Sequence, residues 1–113
     1  MHELSIVMNI ISIAEHEMTK SGAASIDEIE LDIGQFSTVE MQAFDFAWQQ
    51  AVKGTVLEKT SRKINLIPAK GRCGECNTEF MMNDWCDACP NCSRYAPELL
   101  QGRELHVKRM IVH

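Results

Sequence analysis

The cysteines of this 113-residue chain have the spacing of metal ligands. All five lie between positions 73 and 92, and four of them form two C-x-x-C pairs, Cys73 with Cys76 and Cys89 with Cys92. A C-x-x-C turn directs two sulfur atoms toward one point, and two such turns supply the tetrahedral thiolate set that Zn(II) prefers. Because four thiolates leave no open coordination position, the pattern predicts a structural zinc ion.

The fifth cysteine leaves the second pair of ligands open. Cys86 and Cys89 form an overlapping C-x-x-C, so the second pair is either Cys89 with Cys92 or Cys86 with Cys89. We favour the first because Pro90 stiffens the turn after Cys89. Cys86 is then a free thiol near the metal or a spare ligand that can exchange. Iron in a four-thiolate site, as in a rubredoxin-like electron carrier, is a further alternative.

A second group of possible ligands stands at the amino terminus, where Met1-His2-Glu3 precedes the first predicted helix. The imidazole and amide nitrogen of His2 and the amine of Met1 can form fused chelate rings around one ion. The amide of Glu3 or a side-chain oxygen can supply a fourth ligand. Nitrogen-rich, near-planar coordination suits Ni(II) or Cu(II). The simpler interpretation is that His2 is only an exposed terminal residue and that Glu3 is an acid favoured in a first helical turn.

Hydrophobic periodicity predicts the elements that position these residues. Apolar residues at steps of three and four predict a helix over 4–20, and alternation over 29–33 predicts a strand with one apolar and one acidic face. The stretch 37–40 has the Ser-x-x-Glu form of a capping box, with Glu40 as its acidic half. It predicts a second helix, which Gly54 ends.

Later apolar segments predict further strands. Ile64 and Leu66, with Val56, indicate strand material, and 105–112 indicates a last strand that returns to the first sheet. The predicted class is α+β, with a small mixed three-stranded sheet, two helices and an inserted zinc-ribbon-like metal domain.

The cysteine distribution predicts two domains. Residues 1–68 and 103–113 form an α/β domain, and 69–102 form the zinc-binding insertion. The insertion is too short to fold by burial of apolar surface alone, so the metal stabilises it. An exposed sheet edge leaves a homodimer possible.

Composition narrows the function classes. Sixteen acids against eleven bases give a net charge of −5, which argues against a nucleic-acid partner. No apolar run is long enough to cross a membrane, and the first residues do not form a signal peptide. We therefore expect a cytoplasmic protein without disulfides.

Three features together resemble a known family. Met1-His2-Glu3-Leu4-Ser5, an acidic strand ending at Gly34, and the pattern C-x2-C-x12-C-P-x-C are similar to those of the HypA/HybF hydrogenase-maturation nickel chaperones. The resemblance covers essentially the whole chain in order. Cys86 departs from the family pattern, which needs only four thiolates.

The resemblance implies a non-enzymatic protein that carries Ni(II) as transient cargo. It implies that His2, with the Met1 amine, binds nickel, that Glu3 assists, and that Glu40 is a possible further contributor. It implies four zinc ligands, Cys73, Cys76, Cys89 and Cys92. The implied partners are a nickel-handling GTPase accessory protein and the large-subunit precursor of [NiFe]-hydrogenase, and some family members also serve urease. The alternative is a zinc-ribbon interaction or regulatory adaptor without a nickel role.

Overall fold

The structure is a computed structural model that describes residues 2–95 and 97–113. In this part of the chain there are two helices and six strands. In chain order they are α1 (Glu3–Ser21), β1 (Ile26–Gly34), α2 (Met41–Ala51), β2 (Ser61–Ile67), β3 (Lys70–Arg72), β4 (Glu79–Met81), β5 (Glu98–Gln101) and β6 (Leu105–Val112). None of the helices described is long and apolar enough to cross a membrane.

The first sheet has three strands in the order β2-β1-β6. The backbone N–H groups of Ser25 and His113 each donate to the other's carbonyl, at 3.2 and 2.9 Å, and Gly34 N–H donates to Glu104 at 2.7 Å, so β1 and β6 are antiparallel. β1 and β2 are joined through α2, as in a parallel crossover. The predicted α+β class is confirmed, and so is the return of the last strand to the first sheet.

The chain divides into two compact units. One comprises Met1–Leu31, Thr38–Asn65 and His106–His113, and the other comprises Asp32–Ser37 and Leu66–Leu105. We call them the helical unit and the cysteine unit. The divisions fall within β1, β2 and β6. The boundaries predicted from the sequence, after residue 68 and before residue 103, remain a prediction.

Apolar stripes of the two helices form the core of the helical unit. α1 has helical spacing of its apolar residues and ends at Gly22, whose left-handed φ of 71° closes the last turn. α1 and α2 pack on each other. Their buried apolar residues, with those of β1 in this unit, are Val7, Ile10, Ile11, Ala14, Ile26, Ile29, Leu31, Phe44, Ala47 and Trp48.

Two sequence-based assignments in the helical unit are wrong. Val56, assigned to a strand, lies in a turn that precedes β2, where Thr55 Oγ1 donates to the Val52 carbonyl at 2.7 Å. α2 begins at Met41, about one turn later than the capping box predicts. Thr38 has a left-handed φ of 67°, which a helix cannot contain, so Ser37 is not the N-cap. Glu40 is the N-cap instead.

One residue on the acidic face of β1, Glu30, is buried rather than exposed to solvent. Glu30 is only 4% exposed, and its two carboxylate oxygens accept from Asn65 Nδ2 at 2.6 Å and from Arg109 Nε at 2.7 Å. Lys108 Nζ lies 3.8 Å from the same carboxylate. Neighbours from β2 and β6 therefore satisfy this buried charge.

Candidate metal sites

Four cysteine sulfurs converge in the cysteine unit. The Sγ atoms of Cys73, Cys76, Cys89 and Cys92 all lie within 4.8 Å of one another. Two of the separations are 3.4 Å, between Cys73 and Cys92, and 3.6 Å, between Cys76 and Cys89. Cys73 and Cys89 are buried, whereas Cys92 is exposed. The cluster therefore has an inner and an outer side.

The turn around the first pair explains why its sulfurs converge. The backbone N–H of Cys73 donates to the Thr78 carbonyl at 2.9 Å, and the N–H of Asn77 donates back to the Cys73 carbonyl at 3.0 Å. Asn77 has a left-handed φ of 61°, which reverses the chain after Cys76. Asparagine tolerates this conformation better than most residues.

The second pair repeats the same geometry. The N–H of Cys89 donates to the Arg94 carbonyl at 2.8 Å, and the N–H of Ser93 donates to the Cys89 carbonyl at 2.9 Å. Ser93 has a φ of 64°, the counterpart of Asn77. Cys89 Sγ also accepts from the N–H of Asn91 at 3.4 Å. The two C-x-x-C segments are thus equivalent turns that present one buried and one more exposed sulfur each.

A small antiparallel sheet supports these turns. Its strand order is β4-β3-β5, with Arg72 paired to Glu79 on one side and to Glu98 on the other. An apolar cluster of Phe36, Ala69 and Met82, with Phe80 and Leu99 against it, forms the core of this unit. The hydrophobic pattern does not predict these strands, because three or four residues are too few to show a period.

Cys86 lies outside the four-sulfur cluster. It is exposed and belongs to a short loop in which its N–H donates to Asp84 Oδ1 at 3.1 Å. Asp87 Oδ2 accepts from the N–H of Asn83 at 2.7 Å and holds the start of the same loop. The structure therefore brings together the first of the two ligand sets that the sequence left open.

Hydrogen bonds and neighbouring sulfurs shift the pKa values of Cys73, Cys76 and Cys92 in different directions. Hydrogen bonds, the largest from Thr78, lower the pKa of Cys76 to about 5. The backbone N–H of Arg94 lowers the pKa of Cys92, but the neighbouring sulfur of Cys73 and burial outweigh it and raise that pKa to about 12. Backbone N–H groups lower the pKa of Cys73. The thiol of Cys92 therefore keeps its proton at neutral pH unless a bound cation favours its thiolate.

The cluster fits Zn(II). A Zn–S bond of about 2.3 Å places tetrahedral sulfurs about 3.8 Å apart. The Sγ–Sγ separations of 3.4 and 3.6 Å are slightly shorter than this value, and all four sulfurs lie within 4.8 Å of one another. Four soft sulfur donors in a closed set suit zinc or iron–sulfur chemistry rather than Ni(II) with nitrogen ligands.

The predicted amino-terminal site is only partly described. Met1, whose amine is one of the predicted nickel ligands, lies outside the described residues. His2 is the N-cap residue of α1, is exposed, and makes no side-chain capping hydrogen bond. Its carbonyl accepts from the N–H of Ile6 at 3.3 Å, as the first bond of the helix. The imidazole thus stands at the start of α1, next to Glu3.

The structure places Glu40 beside Glu3, at the point where the two helices of the helical unit begin. Glu3 Oε2 accepts a hydrogen bond from the backbone N–H of Glu40 at 3.4 Å. Glu40 Oε1 accepts from the N–H of Gln42 at 3.2 Å, and Oε2 accepts from the N–H of Ala43 at 2.6 Å. Periodicity could not reveal this contact, because the two acids are 37 residues apart.

A family model described as "Hydrogenase/urease nickel incorporation, metallochaperone, hypA" matches residues 1–112. Among curated relatives, the hydrogenase maturation factor HypA of Parabacteroides distasonis is 40% identical over 112 residues, which cover 99% of this chain and 97% of that protein. The protein of the same name from Geobacter sulfurreducens is 34% identical, and the match covers 99% of each chain.

Two solved structures share the fold. The solution structure of the Ni metallochaperone HypA from Helicobacter pylori superposes with a TM-score of 0.68 at 23% identity, covering 99% of this chain and 97% of that one. A solution structure described as HypA protein gives a TM-score of 0.73, also at 23% identity, covering 100% and 97% of the two chains. At this identity the likeness concerns the fold alone.

Proposed function

Because the chain belongs to the HypA family of hydrogenase-maturation nickel metallochaperones, we propose that it binds Ni(II) at its amino terminus and delivers it for [NiFe]-hydrogenase maturation. The observation that carries this proposal is the exposed His2 at the start of α1. Glu3 follows it directly in the chain, and the backbone N–H of Glu40 donates to the Glu3 carboxylate. A carrier must bind its metal where a recipient can reach it, and an exposed helix terminus meets that need.

The proposed nickel ligands are the Met1 amine and the imidazole and backbone amide of His2, with Glu3 close to the ion. Nitrogen donors in fused five- and six-membered rings favour Ni(II) in near-planar geometry. The amide nitrogen becomes a ligand only after it loses its proton, so binding releases protons and is reversible in acid. Reversibility is what transfer to a recipient requires.

The second part of the proposal assigns structural Zn(II) to Cys73, Cys76, Cys89 and Cys92. Zinc would neutralise half of the charge of four thiolates and hold the two equivalent turns together. The apolar core of the cysteine unit is small, consisting of Phe36, Ala69 and Met82 with two partly buried neighbours. A unit of this kind gains much of its folding free energy from the metal.

The same proposal extends to partners and location. We infer that the protein is a chaperone rather than an enzyme, that it acts in the cytoplasm, and that it works with a nickel-handling GTPase. The recipient would be the large-subunit precursor of a [NiFe]-hydrogenase. Urease is a second possible destination, since the family description names hydrogenase and urease together.

Metal analysis of the untagged protein tests the proposal. After dialysis against Ni(II), we expect one zinc per chain and additional nickel that His2→Ala removes while zinc remains. His16→Ala is the matched control, because His16 is an exposed histidine on the same helix. A protein that contains zinc but no nickel that depends on His2 would contradict the proposed chaperone function and favour a zinc-ribbon adaptor. Iron in place of zinc would favour an electron carrier.

A further inference from the structure

Glu40 has two different contacts at the proposed nickel site, one through its side chain and one through its backbone. Both carboxylate oxygens accept from backbone N–H groups of α2, Gln42 at 3.2 Å and Ala43 at 2.6 Å. The side chain is therefore engaged as the N-cap of its own helix. A nickel ion that took this carboxylate as a ligand would have to compete with the cap.

The backbone contact of Glu40 reaches the other helix. Its N–H donates to Glu3 Oε2 at 3.4 Å, and Glu3 directly follows His2. In an ordinary capping box, the N–H of the N-cap residue bonds to an acid three residues later in the same helix. Here the acid comes from α1, so Glu3 supplies the missing half of the α2 capping box.

We propose that Glu40 is a positioning residue for nickel: its backbone N–H holds the Glu3 carboxylate beside His2, and its own carboxylate is not a ligand. This inference rests on the proposed function, because it assumes that nickel binds at His2. Glu40 has extended rather than helical backbone angles, φ −89° and ψ 113°, as is usual for an N-cap residue.

Three substitutions at position 40 separate the side chain from the N–H. Glu40→Ser keeps an N-capping oxygen and the N–H, Glu40→Ala keeps the N–H alone, and Glu40→Pro removes both. We measure the nickel Kd of the untagged proteins and the visible absorption of bound Ni(II), which reports its donor set. Glu3→Ala, which keeps the Glu3 amide but removes the carboxylate, is the reference for complete loss of the contact.

We expect Glu40→Ser to bind nickel within about twofold of the parent protein, with an unchanged absorption spectrum. Glu40→Pro and Glu3→Ala should each weaken binding by about tenfold, the usual scale for a hydrogen bond to a charged group. Glu40→Ala should resemble Glu40→Ser more than Glu40→Pro. The difference between Ala and Pro then isolates the N–H.

Other results overturn the inference. If Glu40→Ser loses as much affinity as Glu40→Pro, or shifts the spectrum, the carboxylate is a ligand. If Ala and Pro bind equally, the N–H has no role. If circular dichroism shows that Glu40→Pro does not fold, the test depends on Glu40→Ser and Glu3→Ala. The inference is then supported only if Glu40→Ser keeps its nickel affinity and Glu3→Ala loses it. His2→Ala tests the proposed function separately from the role of Glu40. If nickel binding is unchanged in His2→Ala, the proposed function itself fails.

Discussion

The backbone N–H of Glu40 donates to Glu3 Oε2 at 3.4 Å and joins the first residue of α1 to the N-cap of α2. This contact links two segments that are distant in sequence, and it is made by an acid that directly follows the proposed nickel ligand His2. It also gives Glu3 a structural role that exists without any metal. The stability of the helix pair and the proposed nickel site therefore involve the same side chain.

Glu3→Ala should lower the free energy of unfolding by about 1 kcal/mol, because it removes an acceptor for the α2 N-terminus. Thermal or urea denaturation of the metal-free protein, followed through the unfolding transition of the helical unit, measures this loss. Hydrogen exchange of the Glu40 amide measures the hydrogen bond itself. Glu17→Ala, on the same helix but away from its start, is the control. Unchanged exchange at Glu40 would show that the contact does not exist in solution.

One additional residue before Met1 should abolish high-affinity nickel binding, because it removes the α-amine from the chelate rings. Zinc content and the circular dichroism spectrum should stay as in the parent protein, since the cysteine unit has its own core and ligands. Isothermal titration with Ni(II) compares the two proteins. An extended protein that binds nickel as tightly as the native one would rule out the chelate.

Cys92→Ser and Cys86→Ser should differ sharply in zinc affinity. Cys92 belongs to the four-sulfur cluster and Cys86 does not. Changes in the outer shell of a zinc site already cost about 10–100-fold in affinity, so loss of a ligand should exceed that range, whereas Cys86→Ser should leave affinity unchanged. Competition with a chromophoric chelator measures both. Equal loss in the two variants would indicate that Cys86 exchanges into the site.

Zinc loading of the metal-free protein should release protons at neutral pH. The neighbouring sulfurs and burial raise the pKa of Cys92 to about 12, so its thiol retains a proton at pH 7, whereas Cys76, with a pKa of about 5, does not. Zinc binds thiolates and displaces the retained proton, so affinity falls as pH falls. Calorimetry in buffers of different ionisation enthalpy counts the protons. A count of zero would contradict the assigned acidities.

Glu30→Gln should destabilise the helical unit at neutral pH but not in strong acid. The amide of Asn65 and the charge of Arg109 hold the pKa of Glu30 below its ordinary value, against the opposing effect of burial. A lowered folded-state pKa means that the stabilisation is present above the unfolded-state pKa and is lost as pH falls through the folded-state value. Urea midpoints of both proteins across pH 2 to 7 would test this.

Glu28→Gln is the matched control for that experiment, because Glu28 is also an acid of β1 but is not fully buried. We expect its substitution to change the midpoint little at any pH. If the urea midpoints of the parent protein and Glu30→Gln differ by the same amount in acid as at neutral pH, the loss of stability comes from the shape of the side chain rather than from its charge.

Local patterns predicted the features that depend on neighbours in sequence. The helical stripe of α1 and the alternation of β1 follow directly from residue spacing, because each backbone geometry repeats over a few residues. The cysteine cluster was predictable for the same reason, since each C-x-x-C turn aligns its own two sulfurs. The resemblance to the family also came from motifs and their order along the chain, and the family model and the curated relatives confirm it.

Long-range packing decided the rest. The sequence alone determined two helices, the strands of the first sheet and two cysteine turns. It did not determine that Cys92 rather than Cys86 completes the cluster, because that depends on how one turn faces the other. It placed the start of α2 too early, because the left-handed φ of Thr38, which the motif does not reveal, prevents the helix from beginning at that residue. The burial of Glu30 and the meeting of Glu3 with Glu40 required the tertiary structure, because the partners that satisfy these charges come from other strands and the other helix.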